Sequence, residues 1–235
     1  MILTPENRIK EYTENGWWNS NTLYSLFLDA CDAAGNQEAL VDAPNRKLFA
    51  NSDPRRLTFV DIKKEVDRYA SILFDLGFRK DDKIILQLPN IVELAILYIA
   101  LTKIGIIISP VPVQYGTFEL EKIIADIDPK GYIGIDTLNG KEFAKKIYPA
   151  FNSNHILLSI GDVEGFLNID KHSLETNNDV EEYIKLMEYS SNDILTICWT
   201  SGTTGTPKGV PRSHNLWGTM AKAAYHLANT QKGDI

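Results

Sequence analysis

Residues 83–113 read KIILQLPNIVELAILYIALTKIGIIISPVPV, and the fold is decided there. The apolar run at 83–88 has the length of a buried strand, and Pro89-Asn90 stops it. Asn90 with Glu93 offers a capping pair for a helix that runs to Lys103. That helix is apolar nearly all round (Leu94, Ile96, Leu97, Tyr98, Ile99, Leu101), which predicts burial on several sides. A second buried strand follows at 106–113 and ends in Pro110 and Pro112. Strand, helix and strand within about thirty residues make a crossover unit whose strands pair in parallel.

The pattern repeats outward. Upstream, residues 58–76 carry Phe59, Ile62, Val66, Tyr69, Ala70, Leu73 and Leu76 at helical spacing. Thr58 can cap that helix with Asp61, and Gly77 can end it in a left-handed turn. Downstream, the spacing predicts a helix at 117–127, a strand at 131–135, a helix at 140–148 and a strand at 155–160. Residues 161–191 are polar and weakly patterned, a surface loop with a short helix near 181–188. A continuous apolar strand spans 193–199. A last helix spans 213–227 with Leu216, Met220, Ala223 and Leu227 on one face, and 231–235 lead toward a further strand. The expected fold class is α/β: doubly wound, largely parallel sheets with helices on both faces. Ligands of such sheets sit beyond the carboxyl ends of the strands.

Composition narrows the function. The 235 residues hold 24 Lys and Arg against 31 Asp and Glu, a net charge of −7, so a nucleic-acid footprint is not expected. The densest basic runs, Lys63-Lys64 and Lys145-Lys146, are short and lie among acidic residues. Cys31 and Cys198 lie far apart with no metal-ligand spacing, which indicates neither a disulfide framework nor a zinc site. The start carries Glu6, Arg8 and Lys10 and does not read as a signal peptide. Pro89, Glu93, Lys103 and Gly105 disqualify the most apolar stretch as a membrane span. A soluble, cytoplasmic protein is the expectation.

The chemistry lies in TSGTTGTPKGV at 200–210, directly after the strand at 193–199. Gly202, Gly205 and Gly209 let the backbone fold closely and turn several N–H groups to one side. Thr200, Ser201, Thr203 and Thr204 add neutral donors, and Lys208 adds a positive charge. Such a loop suits a polyphosphate. It is not a Walker A loop, because Pro207 stands where that pattern needs Gly and Gly209 where it needs Ser or Thr. Pro211 also delays the next helix to Ser213.

This string resembles the phosphate-binding signature of the adenylate-forming (AMP-binding) superfamily of acyl- and aryl-CoA synthetases, peptide-synthetase adenylation domains and luciferases. Leu57-Thr58-Phe59-Val60-Asp61-Ile62 resembles the family's first core motif, and Leu101-Thr102-Lys103-Ile104-Gly105, leading to Pro110, its second. Leu88-Pro89-Asn90 is similar to a segment favoured by acyl- and aryl-acid ligases. Pro211-Arg212-Ser213-His214-Asn215 and Gly16-Trp17-Trp18 lean toward ligases of dihydroxybenzoate-type acids.

The resemblance implies ATP-dependent activation of a carboxylic acid, aryl or fatty, to an acyl-adenylate, followed by transfer to the thiol of CoA or a carrier protein. It places Thr200, Ser201, Gly202, Thr203, Thr204, Gly205 and Lys208 on the nucleotide's phosphates, with Lys208 catalytic and Mg²⁺ sharing the charge. It also implies that residues 1–235 are the first part of the large N-terminal AMP-binding domain. The rest of that domain and the C-terminal lid would lie elsewhere, so turnover by the chain alone is expected to be slight. Its exposed edges would favour association with the missing half or with other copies. A non-catalytic remnant that binds nucleotide or a partner is the rival reading, and a P-loop NTPase a further one.

Other residues read as structural. Cys198 and Trp199 suit strand-end packing, and His214 a helix-start contact. His155, His172 and His226 are isolated; Glu119, Glu121, Asp126 and Asp128 suit a solvated face; Trp17 and Trp18 suit a staple for the N-terminal segment.

Overall fold

The structure, a computed structural model, describes residues 1–172, 179–200 and 207–231. The N-terminal segment supplies helices α1 (Glu6–Glu14) and α2 (Leu23–Ala34), strand β1 (Glu38–Val41), the short α3 (Arg46–Ala50) and strand β2 (Arg56–Thr58). The crossover region follows with α4 (Phe59–Asp75), β3 (Lys83–Leu86), α5 (Val92–Lys103), β4 (Ile107–Pro110), α6 (Thr117–Ile127) and β5 (Gly131–Ile135). A small hairpin, β6 (Thr137–Leu138) and β7 (Lys141–Glu142), leads to α7 (Ala144–Ile147). Then come β8 (Ile156–Ile160), β9 (Leu167–Asn168), α8 (Asp179–Leu186), β10 (Ile194–Thr200), β11 (Lys208–Ser213) and α9 (His214–Leu227).

Among the described residues, seven strands form one sheet in the order β11-β10-β4-β3-β5-β8-β9. All neighbours are parallel except β10 and β11. The chain moves from β3 to β4 on one side, then crosses to β5 on the other, which is the switch of a doubly wound sheet. One apolar core holds α4 and α5 against this sheet through Val66, Tyr69, Leu73, Ile96, Leu97 and Leu101. A second gathers Ile85, Leu120, Ile123, Tyr132 and Ile147 under α6 and α7. Both faces are therefore covered. No helix among the described residues is long and apolar enough to cross a membrane.

The helix α4 forms as its local sequence dictates. The Thr58 hydroxyl accepts from the Asp61 amide, the Asp61 carboxylate accepts from the Thr58 amide, and Gly77 follows at φ 86°. Several expectations need correction. Asn90 does not cap α5; Ile91 holds that position, and the amide of Val92 donates instead to Asp42 Oδ1 at 3.0 Å. Glu93 turns inward and accepts from Arg46 and Arg55. The helix expected at 140–148 shrinks to α7, because Asn139 and Gly140, at φ 52° and 72°, make the two-residue turn of the β6–β7 hairpin. The loop at 161–191 contains β9 as well as α8. The face of α9 carrying Leu216, Met220 and Leu227 is exposed; His214 and Asn215 are the residues it buries. Trp18 is buried beside Tyr12, whereas Trp17 is largely exposed.

Candidate functional site

Strand β11 was not anticipated, and it defines the site. It runs antiparallel to β10, with Ile197 opposite Pro211, Trp199 opposite Gly209 and Thr200 opposite Lys208. The glycine- and hydroxyl-rich string therefore joins two strands of one hairpin rather than a strand to a helix. Ser201, Gly202, Thr203, Thr204 and Gly205 lie outside the described residues. Thr200 and Lys208 are described, and they face each other as the last registered pair before that string. Both are exposed, and the Thr200 hydroxyl points at the Lys208 carbonyl 3.4 Å away. Among the described residues, Lys208 has no carboxylate partner.

The hairpin stands at the carboxyl end of the sheet. Strand β10 pairs in parallel with β4 at Thr196 opposite Ile108, so Trp199 and Thr200 extend beyond that pair. The indole N–H of Trp199 donates to Ser109 Oγ at 2.8 Å, and Ser109 is fully buried. The segment after β4 is fixed by Gln87, whose amide donates to the carbonyls of Pro112 and Tyr115, both at 2.9 Å, and accepts from the Tyr132 hydroxyl. Cys198 is half-buried, in keeping with a packing role.

At the base of the hairpin, His214 opens α9. Its Nδ1 accepts from the amide of Leu23 at 3.0 Å and its Nε2 lies 2.5 Å from the Tyr189 hydroxyl. Burial lowers its pKa to about 4, against a weaker opposite pull from Asp193. A neutral ring tying α2 to α9 is a structural element, as the helix-start reading expected.

Other concavities occur among the described residues, and two adjoin the core. A cavity of about 450 Å³ near the ends of β5 and β8 is lined by Arg46, Arg55, Glu93 and Asp136. Most of its inner charges pair with one another: Arg46 with Asp42 and Glu93, and Arg55 with Glu65 and Glu93, while Glu93 Oε2 is buried without a hydrogen-bond partner among the described residues. An apolar cavity of about 400 Å³ lies between α2, α5 and α9, walled by Leu23, Tyr98, Ile99 and Trp217. No group of three or more His, Cys, Asp or Glu among the described residues could hold a metal ion.

The chain belongs to a family of adenylate-forming ligases: the model of the "AMP-binding enzyme" family matches residues 27–234. It is 33% identical over 172 residues to an acetyl-coenzyme A synthetase of Gamma-proteobacterium EBAC31A08, covering 68% of this chain and 26% of that protein. It is 25% identical over 218 residues to 2,3-dihydroxybenzoate-AMP ligase of Bacillus subtilis, covering 90% of this chain and 36% of the relative. The apo structure of Mycobacterium smegmatis MbtA superposes with a TM-score of 0.78 at 21% identity, over 98% of this chain and 41% of that one. The chain thus spans between about a quarter and two fifths of the length of these proteins.

Proposed function

We propose that this chain forms the ATP-phosphate-binding part of a ligase that activates a small carboxylic acid as an acyl-adenylate. The acyl group then passes to the thiol of CoA or of a carrier protein. A carboxylate is a poor electrophile. Its oxygen attacks the α-phosphorus of ATP, the bond to the β-phosphate oxygen breaks, and pyrophosphate leaves with the charge that builds on it. Catalysis of that step depends on donors aimed at the leaving group. In this reading the donors are the backbone N–H groups of 201–205, the hydroxyls of Thr200, Ser201, Thr203 and Thr204, and the ammonium of Lys208.

The observation that carries the proposal is the register of Thr200 against Lys208. It places a hydroxyl residue and a lysine, which has no carboxylate partner among the described residues, on either side of the string whose sequence marks the family. The hairpin also argues against a P-loop NTPase, in which a helix follows the lysine directly, whereas here β11 follows it. Mg²⁺ belongs to the same reading: held largely by phosphate oxygens and water, it would share the charge that builds on the leaving group. As a further part of the proposal, residues 1–235 are the first portion of the large domain and turn over slowly without the remainder.

Calorimetric titration with pyrophosphate, ATP and a panel of aryl and alkyl carboxylates tests this. Lys208→Ala should weaken pyrophosphate and ATP by about tenfold, the scale of one charge-assisted hydrogen bond, and leave any acid binding unchanged. Equal loss for phosphate and acid ligands, or no loss, would refute the assignment. Acid-dependent exchange of labelled pyrophosphate into ATP, on adding the remaining portion of a family ligase, would separate an activating enzyme from a binding remnant.

A further inference from the structure

We propose that Trp199 and Ser109 are positioning residues for the phosphate-binding hairpin, an inference that rests on the proposed function of that hairpin. The β10–β11 arm is poorly held by backbone pairing at the end that matters. Its parallel ladder to β4 is registered at Thr196 opposite Ile108, and Trp199 and Thr200 lie three and four residues beyond it. Strand β11 is the outermost strand of the sheet, so it gives the arm no support from its other side. A two-stranded ribbon of this kind twists readily about its own axis. Any such twist would move Thr200 and Lys208 relative to the fixed carboxyl ends of β3 and β4.

The side chain of Trp199 answers this. From the residue before Thr200, its indole reaches back across the gap to β4. The N–H donates to Ser109 Oγ at 2.8 Å, one residue past the last registered pair. The ring packs against the apolar cluster under α6 and α7, and Ser109 is fully buried. Gly209 is shaped to admit it. A β-carbon there would lie 2.9 Å from Ile197 Cγ2 and 3.2 Å from Trp199 Cη2, so the missing side chain makes room for the indole on the facing strand. The glycine is needed for space, since its φ is not positive. Indole, hydroxyl and bare backbone together fix the angle at which the arm leaves the sheet.

A matched control exists on the same strand. The indole N–H of Trp217, on α9, donates to Thr196 Oγ1, also at 2.8 Å, but at the middle of β10. Trp199→Phe, Ser109→Ala, their double variant and Trp217→Phe are each titrated with pyrophosphate, and their unfolding midpoints are measured in the same buffers. Trp199→Phe and Ser109→Ala should each weaken pyrophosphate by about three- to tenfold, the scale of one lost hydrogen bond. The double variant should be no weaker than the weaker single, because both remove the same tie. Trp217→Phe should lower the unfolding midpoint comparably and bind pyrophosphate like the parent chain. Equal loss of affinity in Trp217→Phe would reduce the effect to general stability and overturn the proposal, as would unchanged affinity in Ser109→Ala. Additive losses in the double variant would equally overturn a shared tie. If Trp199→Phe fails to fold, Ser109→Ala against Trp217→Phe still decides. Absence of pyrophosphate binding by the parent chain is a different result: it refutes the function of the hairpin itself, and with it the positioning role of Trp199 and Ser109.

Discussion

Acid should unfold this chain partly through one histidine. His214 sits in a site that admits only the neutral ring: Nδ1 accepts the amide of Leu23, the first residue of α2, so Nε2 must carry the proton and face the Tyr189 hydroxyl. Protonating Nδ1 would set two donors against each other in a buried space. Burial accordingly lowers the pKa from 6.5 to about 4. The unfolded chain takes up this proton first as pH falls. The stabilising contribution is complete above about pH 6.5, shrinks as pH drops below it, and is exhausted near pH 4. At about 1.4 kcal/mol per pH unit, the interval is worth about 3 kcal/mol. In His214→Asn the side-chain oxygen can still accept from Leu23 but does not titrate. Urea unfolding of both proteins at several pH values between 7.5 and 4 should show the parent losing about 3 kcal/mol more than the variant. Any lost contact to Tyr189 shifts the variant's curve by an offset independent of pH. Parallel curves would refute the argument, and so would a His214 ring proton resonance titrating near its ordinary pH.

Other outcomes follow from the same packing. Glu93→Ala strips Arg46, itself buried, of one of its two carboxylate partners, and should cost about 3–5 kcal/mol in chemical denaturation; a loss below about 1 kcal/mol would contradict that account. Gly131→Ala puts a β-carbon 2.6 Å from the Ile156 carbonyl oxygen and 2.9 Å from Phe78 Cζ, so the unfolding free energy should fall by about 1–3 kcal/mol. An unchanged midpoint would mean that β5 and β8 can part without penalty. The exposed Leu216, Met220 and Leu227 on α9 should make the chain self-associate, and sedimentation velocity showing a monomer at every concentration would count against it.

What the sequence reveals and what it hides divide along physical lines. The helix α4 was legible because its ends are set by Thr58, Asp61 and Gly77, all within its own segment. The start of α5 was not, because its amide donor is served by Asp42, fifty residues away in sequence. The β6–β7 hairpin is announced by Asn139-Gly140, a strong turn signal masked by the helical spacing of 140–148 that follows it. Strand β11 was hidden by Pro211, which argues against a central strand but is tolerated where, as here, the strand lies at the sheet's edge. The stripe on α9 misled for a different reason: periodicity shows that a helix has an apolar face but not which neighbour covers it. Thr200 and Lys208 could be picked out as candidate site residues from the string alone, whereas their pairing needed the hairpin and the Trp199–Ser109 bond needed the fold.

On the proposed function, the hairpin changes where the charge on a phosphate would be met. In a strand-to-helix phosphate loop, the helix N-terminus contributes aligned N–H groups and a partial positive charge that acts only within its first turn. Here α9 begins six residues after Lys208, at the far end of an extended strand, which places its N-terminus about 20 Å away. Its leading donors are also occupied, since Ser213 Oγ accepts from the Leu216 amide. No part of that dipole reaches the tip. The polarisable donors available to a phosphate are then those of the string itself, and the formal positive charge within it is that of Lys208. Neutralising Lys208 should therefore weaken phosphate binding more, and flatten its dependence on salt more completely, than the same change in a loop backed by a helix.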